Sequence, residues 1–203
     1  MDSSVALVQA YLRMNGYFTV TEHPVISIGS NGQYQTATDL DVLVFRFPEA
    51  GRIVSGTRRG RDEDHTVVDE ALGINADQAD MLIGEVKEGR AVLNQAPGRP
   101  EVIRAALVTF GCCPRSDAAR VASMLVRDGI AELSSGHRIR TAIFAAQVRD
   151  AQTGSSLLIS LGHIAAYVRS YIDEYCEVLR PAESKDPAFG FLMMLEKAER
   201  GRR

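Results

Sequence analysis

A chain of 203 residues that is 45% hydrophobic and 24% charged has enough apolar matter for one domain with a real core, and reads as neither disordered nor coiled-coil. A formal net charge of −3 argues against a dedicated nucleic-acid coat protein, although a basic surface can still be local. Three cysteines, two of them the adjacent Cys112 and Cys113, with no Cys-x-x-Cys spacing, signal neither a disulfide framework nor a zinc site. Buried thiols are expected. No apolar run approaches the ~20 residues of a membrane span, and no charged and apolar leader opens the chain, so the expectation is a soluble, cytoplasmic protein.

In chain order, Asp2-Ser3-Ser4 offers N-cap chemistry for a helix over 4–14, with Val5, Val8 and Leu12 at helical spacing and Asn15-Gly16 as its stop. Residues 17–21 are β-rich, and 25–28 continue that strand past Pro24. Residues 29–38, containing Asn31-Gly32, read as a turn or loop. His23 is a solvated loop histidine or a ligand. A second strand over 40–47 opens on Asp39-Leu40-Asp41 and closes at Pro48. Residues 49–79 form a long insertion carrying Arg52, Arg58, Arg59 and Arg61 among glycines, then Asp62-Glu63-Asp64-His65. Guanidinium groups pair well with phosphate oxygens, which makes Arg58, Arg59 and Arg61 candidate nucleic-acid contacts; the alternative is a charge-balanced surface loop. Asp77 to Asp80 hint at a short helix at its end.

Met81-Leu82-Ile83 is a buried-strand run, followed by Glu85-Val86-Lys87. Residues i and i+2 of a strand share a face, so Glu85 and Lys87 project together. If the two strands are neighbours, Asp41 joins them. Mg²⁺ takes oxygen ligands and leaves places for water and phosphate, and a nearby lysine can orient or deprotonate that water, so the trio suits metal-assisted phosphodiester hydrolysis. Glu-x-Lys on a strand is also a common solvated ion pair, and Asp before a strand a common turn residue.

Beyond Pro100 a helix is expected over 101–110, then Cys112-Cys113-Pro114 as connector and a second helix over 116–126 capped by Ser116, with Arg115, Arg120 and Arg127 along it. Helix, turn, helix and the short strands at 130–133 and 137–140 also read as a helix-turn-helix with a wing. Residues 139–147 form a strand, and 157–161 a fully apolar one suited to a central, parallel position. His163 opens the helix over 164–179 in a capping, packing or phosphate-binding role. A charged tail over 181–203 carries a short amphipathic piece at 189–197, sticky enough to dock on the body or on a dimer mate.

Asp41 ahead of an apolar strand, with Glu85-Val86-Lys87 on a later one and this order of helices and strands, resembles the PD-(D/E)xK nuclease superfamily with its restriction-endonuclease-like fold. The resemblance spans about residues 1–175, within a domain expected over 1–180. It implies an α/β domain with a mixed central sheet flanked by helices, Asp41 and Glu85 as Mg²⁺ (or Mn²⁺) ligands with the Val86 carbonyl as a third, Lys87 as the catalytic cation, and DNA as substrate. Many relatives carry an acidic residue on the first helix; here only Gln9 and the leading Asp2 are available. Two alternatives stand beside it: a catalytically inactive protein of this fold that binds nucleic acid, and a protein-interaction module. No Gly-x-x-x-x-Gly-Lys, Gly-x-Ser-x-Gly or His-Glu-x-x-His occurs to support nucleotide hydrolysis, an esterase or a zinc protease.

Overall fold

The structure is a computed structural model, and it describes residues 2–28, 32–50, 52–53, 65–66, 68–92, 99–152, 154–175, 179 and 186–201. Its elements are α1 (Ser3–Met14), β1 (Phe18–Ile28), β2 (Tyr34–Arg46), β3 (Arg52–Ile53), β4 (His65–Thr66), a 3₁₀ turn (Glu70–Leu72), β5 (Asp80–Val92), α2 (Pro100–Thr109), α3 (Ala118–Asp128), β6 (Ile130–Glu132), β7 (Arg138–Gln152), β8 (Leu157–Ser160), α4 (Leu161–Glu174) and α5 (Pro187–Arg200). Six strands form one mixed sheet in the order β1-β2-β5-β7-β6, with β8 also pairing β7. The β5–β7 and β7–β8 pairs are parallel and the others antiparallel.

Alternation along the strands divides the core. Leu43, Met81, Ile83 and Ile139 pack beneath α2 and α3 with Val102, Leu107, Val121 and Leu125. Val42, Val44, Leu82 and Phe144 pack on the opposite face, with Val8, Leu12, Ile164 and Val168 of α1 and α4. The helices form where spacing supplies one apolar stripe. Asp2 caps α1, its carboxylate accepting the Ser4 amide at 2.7 Å, and Ser160 caps α4 through the His163 amide. For α3 the capping position is Asp117 rather than Ser116, whose hydroxyl donates to Asp117 instead.

Several expectations need correction. The segment expected as a loop over 29–38 pairs with β1 from Tyr34 onward, with a register shift between Val25 and Ile26; Tyr34, Gln35 and Thr36 are all exposed, so this stretch lacks the apolar alternation that marks a strand. The apolar run at 157–160 is parallel as expected but lies at the sheet border, pairing β7 alone. The short strands of the suggested wing belong to the central sheet, with Ala131 and Ile139 in its core. Asp77 to Asp80 form no helix: Asn75 accepts the Asp77 amide in a turn, Asp80 opens β5, and the 3₁₀ turn lies earlier. The C-terminal piece docks on the body through Phe189, Leu192 and Met193, leaving Phe191 and Met194 exposed.

One buried cluster ties these layers. Asp80 is fully buried at the start of β5 and accepts from Arg138 Nε (2.9 Å), from Arg140 Nε (3.0 Å) and Nη2 (2.6 Å), and from the Tyr17 hydroxyl. Arg140 also donates to the Leu72 carbonyl and Arg138 to the Gly73 carbonyl, pinning the return from the insertion onto the sheet. A second cluster lies alongside: Asp69 accepts from Tyr11 (2.7 Å), His163 (2.6 Å) and the Ala71 amide. Burial alone would raise the Asp69 carboxyl, but those donors together hold it below the usual carboxylate range.

Asp80→Asn is expected to cost about 3–5 kcal/mol, because two arginines lose their buried counter-charge; urea unfolding measures it. Gly84→Ala should cost about 1–3 kcal/mol in the same assay, since an added methyl would overlap Val42 and Phe144.

Candidate functional site

The β2–β5 ladder runs from Arg46↔Asp80 to Val42↔Gly84 and ends there, although both strands continue. Past that point β2 pairs only with β1 and β5 only with β7. The sheet therefore forks, and the predicted residues sit at the fork.

Asp41 lies at the parting. Leu40 and Leu43 pack on the α2–α3 face while Val42 and Val44 pack on the α1 face, so alternation slips by one residue at Asp41. On β1, Glu22 takes a positive φ of 52° close by. The Val86 amide, which an unbroken ladder would offer to a β2 carbonyl, instead donates to Asp41 Oδ2 at 2.7 Å. Asp41 also lines a pocket of about 200 Å³ with Asp2, Ser4, Glu22, Asp39 and Glu88 beneath the start of α1, where Ser4 donates to Glu88. Desolvation raises the Asp41 carboxyl above its ordinary value. The Val86 amide and Lys87 pull against that rise, and Asp2 and Asp39 add to it.

Glu85 and Lys87 form their own pair, Lys87 Nζ to Glu85 Oε1 at 2.7 Å. By alternation with Met81 and Ile83 they face the α2–α3 side. The Glu85 side chain is only 8% exposed, and its second oxygen, Oε2, is buried without a partner. The structure thus brings Asp41 to Val86, and Glu85 to Lys87. Glu85 and Lys87 do not line the Asp41 pocket, which takes Val86 and Glu88 from β5 instead.

Asp2, Glu22, Asp39 and Glu88 were not singled out by sequence reasoning as neighbours of Asp41, except that Asp2 stood as the acidic group nearest the first helix. Their residue types are unremarkable alone, and only the hairpin and the α1 cap gather them. Arg58, Arg59 and Arg61 lie outside the described residues. Of the second helix, Arg120 pairs with Asp117 and Arg127 with Asp128. His23 stacks edge-on against Phe110. Cys112 and Cys113 are buried free thiols, and burial pushes the Cys112 thiol up to about 12. No helix among the described residues is long and apolar enough to cross a membrane.

The Asp41 shift has a sign that can be tested. With the folded value above the unfolded one, the fold favours the neutral acid, and the associated stability is lost as pH rises through the folded value. Asp41→Asn keeps an acceptor for the Val86 amide and removes the charge. It should raise the melting temperature at pH 7 without divalent ions, with the gain fading below about pH 4; thermal melts across pH check this. No protein family matches the chain, and no curated protein or solved structure is detectably similar to it.

Proposed function

We propose that this chain is a divalent-metal-dependent nuclease of the PD-(D/E)xK type with a restriction-endonuclease-like fold, hydrolysing phosphodiester bonds of DNA at the fork between β2 and β5. The observation that carries the reading is Glu85 Oε2. Among the described residues it is the one buried side-chain polar atom without a partner, and a buried carboxylate oxygen in that state is costly unless a cation or donor meets it. Asp41 accepts the amide of the peptide that joins Glu85 to Val86, so it meets the β5 backbone next to Glu85, whose side chain leaves that strand on the α2–α3 face. In a strand a residue's N–H and C=O point to the same edge, which turns the Val86 carbonyl toward the fork as well.

Among the described residues no three His, Cys, Asp or Glu side chains form a metal-binding group. Mg²⁺ is commonly held by one or two carboxylates with water completing its shell, so the donor types of Asp41, Glu85 and the Val86 carbonyl suit it, and Mn²⁺ likewise. Because Asp41 lies in the pocket under α1 and Glu85 on the α2–α3 face, one ion shared by both would require the Asp41 side chain to swing across the fork. The ion would neutralise phosphate charge and acidify a bound water. Lys87, held beside Glu85, would orient the attacking water and stabilise charge that develops on the phosphate. The carboxylates around Asp41 keep a negative field there that favours a cation and would repel an unshielded phosphate.

One observation favours a second reading. Lys87 already neutralises Glu85 at 2.7 Å, and a protein that keeps this pair purely as an internal bridge would bind nucleic acid without cutting it. Incubation of plasmid and single-stranded DNA with Mg²⁺ or Mn²⁺ separates the two. The nuclease cuts in the wild type, and Lys87→Ala loses about 10²–10⁴ of the rate. Absence of cleavage, together with no heat of Mg²⁺ binding in calorimetry, would leave the binding reading standing.

A further inference from the structure

Where β2 leaves β5, its outer half and β1 form a two-stranded arm, and α2 begins opposite that arm. Between them runs an open groove of about 730 Å³, lined on the arm by Ile26, Tyr34, Gln35 and Thr36 and on the helix by Arg99 and Arg104, with Glu101 the one carboxylate among its lining. The groove lies on the α2–α3 face, where Val25 and Ala37 of the arm pack with Val102 and Ala105 of α2. Glu85 and Lys87 take the same face by alternation along β5.

The side chains of this groove are unspent. Tyr34 is 79% exposed, more than any other large apolar side chain described. Arg13, Arg127, Arg138 and Arg200 each pair with a carboxylate, whereas the guanidinium groups of Arg99 and Arg104 meet no hydrogen-bond or ion-pair partner among the described residues. An acidic protein that leaves two unpaired guanidinium groups beside a bare aromatic ring presents the two elements that single-stranded nucleic acid uses: cations for its backbone and a flat platform for an unstacked base. Duplex DNA hides its base faces in the stack and has no use for the ring.

We infer that the groove between the β1–β2 arm and α2 binds single-stranded nucleic acid, with a base stacked on Tyr34 and phosphates on Arg99 and Arg104, and leads that strand toward Glu85 and Lys87. The last part of this inference rests on the nuclease reading; the binding itself does not. The substrate class is then a single strand or a frayed end rather than intact duplex.

Fluorescence anisotropy with a labelled oligothymidylate and a duplex of equal length, in EDTA so that nothing is cut, tests binding alone. The single strand should bind more tightly than the duplex. Tyr34→Ala should weaken it roughly 5- to 150-fold while Tyr34→Phe leaves it nearly unchanged, because stacking needs the ring and not the hydroxyl. Arg104→Ala should lower the slope of log affinity against log salt by about 0.7. Tyr34 and Arg104 are exposed, and circular dichroism confirms that each variant is folded. Equal binding by wild type, Tyr34→Ala and Arg99→Ala/Arg104→Ala, or tighter binding of the duplex, overturns the inference. Repeating the series with Mn²⁺ separates the two proposals. Binding as described with no cutting keeps the groove and removes the nuclease reading, while cutting that ignores Tyr34 and both arginines keeps the nuclease and removes the groove.

Discussion

Asp80 holds together what the rest of the sheet depends on. Its carboxylate is fully buried and takes four donors from three residues distant in sequence: Tyr17 after α1, and Arg138 and Arg140 of β7. Removing a carboxylate and two guanidinium groups from water is expensive, and the cost is recovered only when every donor and lone pair is met in good geometry. A one-residue slip of β5 against β7 would turn Asp80 into the opposite face and leave both arginines without it. The parallel pairing is therefore specified by charge as well as by apolar alternation. Nearby, Arg46 donates to the Asn15, Phe47 and Ala50 carbonyls and closes the same end of β2.

With one end of β5 locked, the far end is free to diverge. Gly84 marks the last point where β2 and β5 touch closely, since Val42 and Phe144 fill the space a side chain would need. Immediately beyond it the strands part, and an amide and a carbonyl of β5 lose their cross-strand partners. Asp41 answers the amide. A rigid clamp and an open fork at opposite ends of a single strand put polar groups at a fixed spacing without closing them off from a ligand, and both the metal and the strand-binding readings draw on that arrangement.

How much of this could be read from residues alone follows from how local each feature is. The helices were legible because Val5, Val8 and Leu12, or Val102, Ile103, Ala106 and Leu107, announce a buried stripe within one or two turns. The pairing of Glu85 with Lys87 was legible for the same reason, since two residues along a strand suffice. Asp80 was not: it preceded an apolar run like any turn residue, and its partners stand 58 and 60 positions downstream. The phase slip at Asp41 was hidden too, because it requires β1 and β2 to distort together. An intact alternation would have turned Asp41 toward Glu85; the slip turns it toward α1 and a set of carboxylates that no short motif connects. The apolar run of β8 read as central because Leu157 and Leu158 are as greasy as any interior strand, whereas each is only half-buried at the sheet border.

The outer strand β1 has a consequence for behaviour at high concentration. It is long, it lies at the sheet edge, and Phe18, Val20 and Ile26 on it are exposed, the composition that invites another chain to add a strand. Pro24 has no amide hydrogen to offer, and the left-handed twist at Glu22 breaks the straight run of backbone beside it. Together they divide that border into two shorter pieces, a feature that makes an edge a poorer template for an added strand.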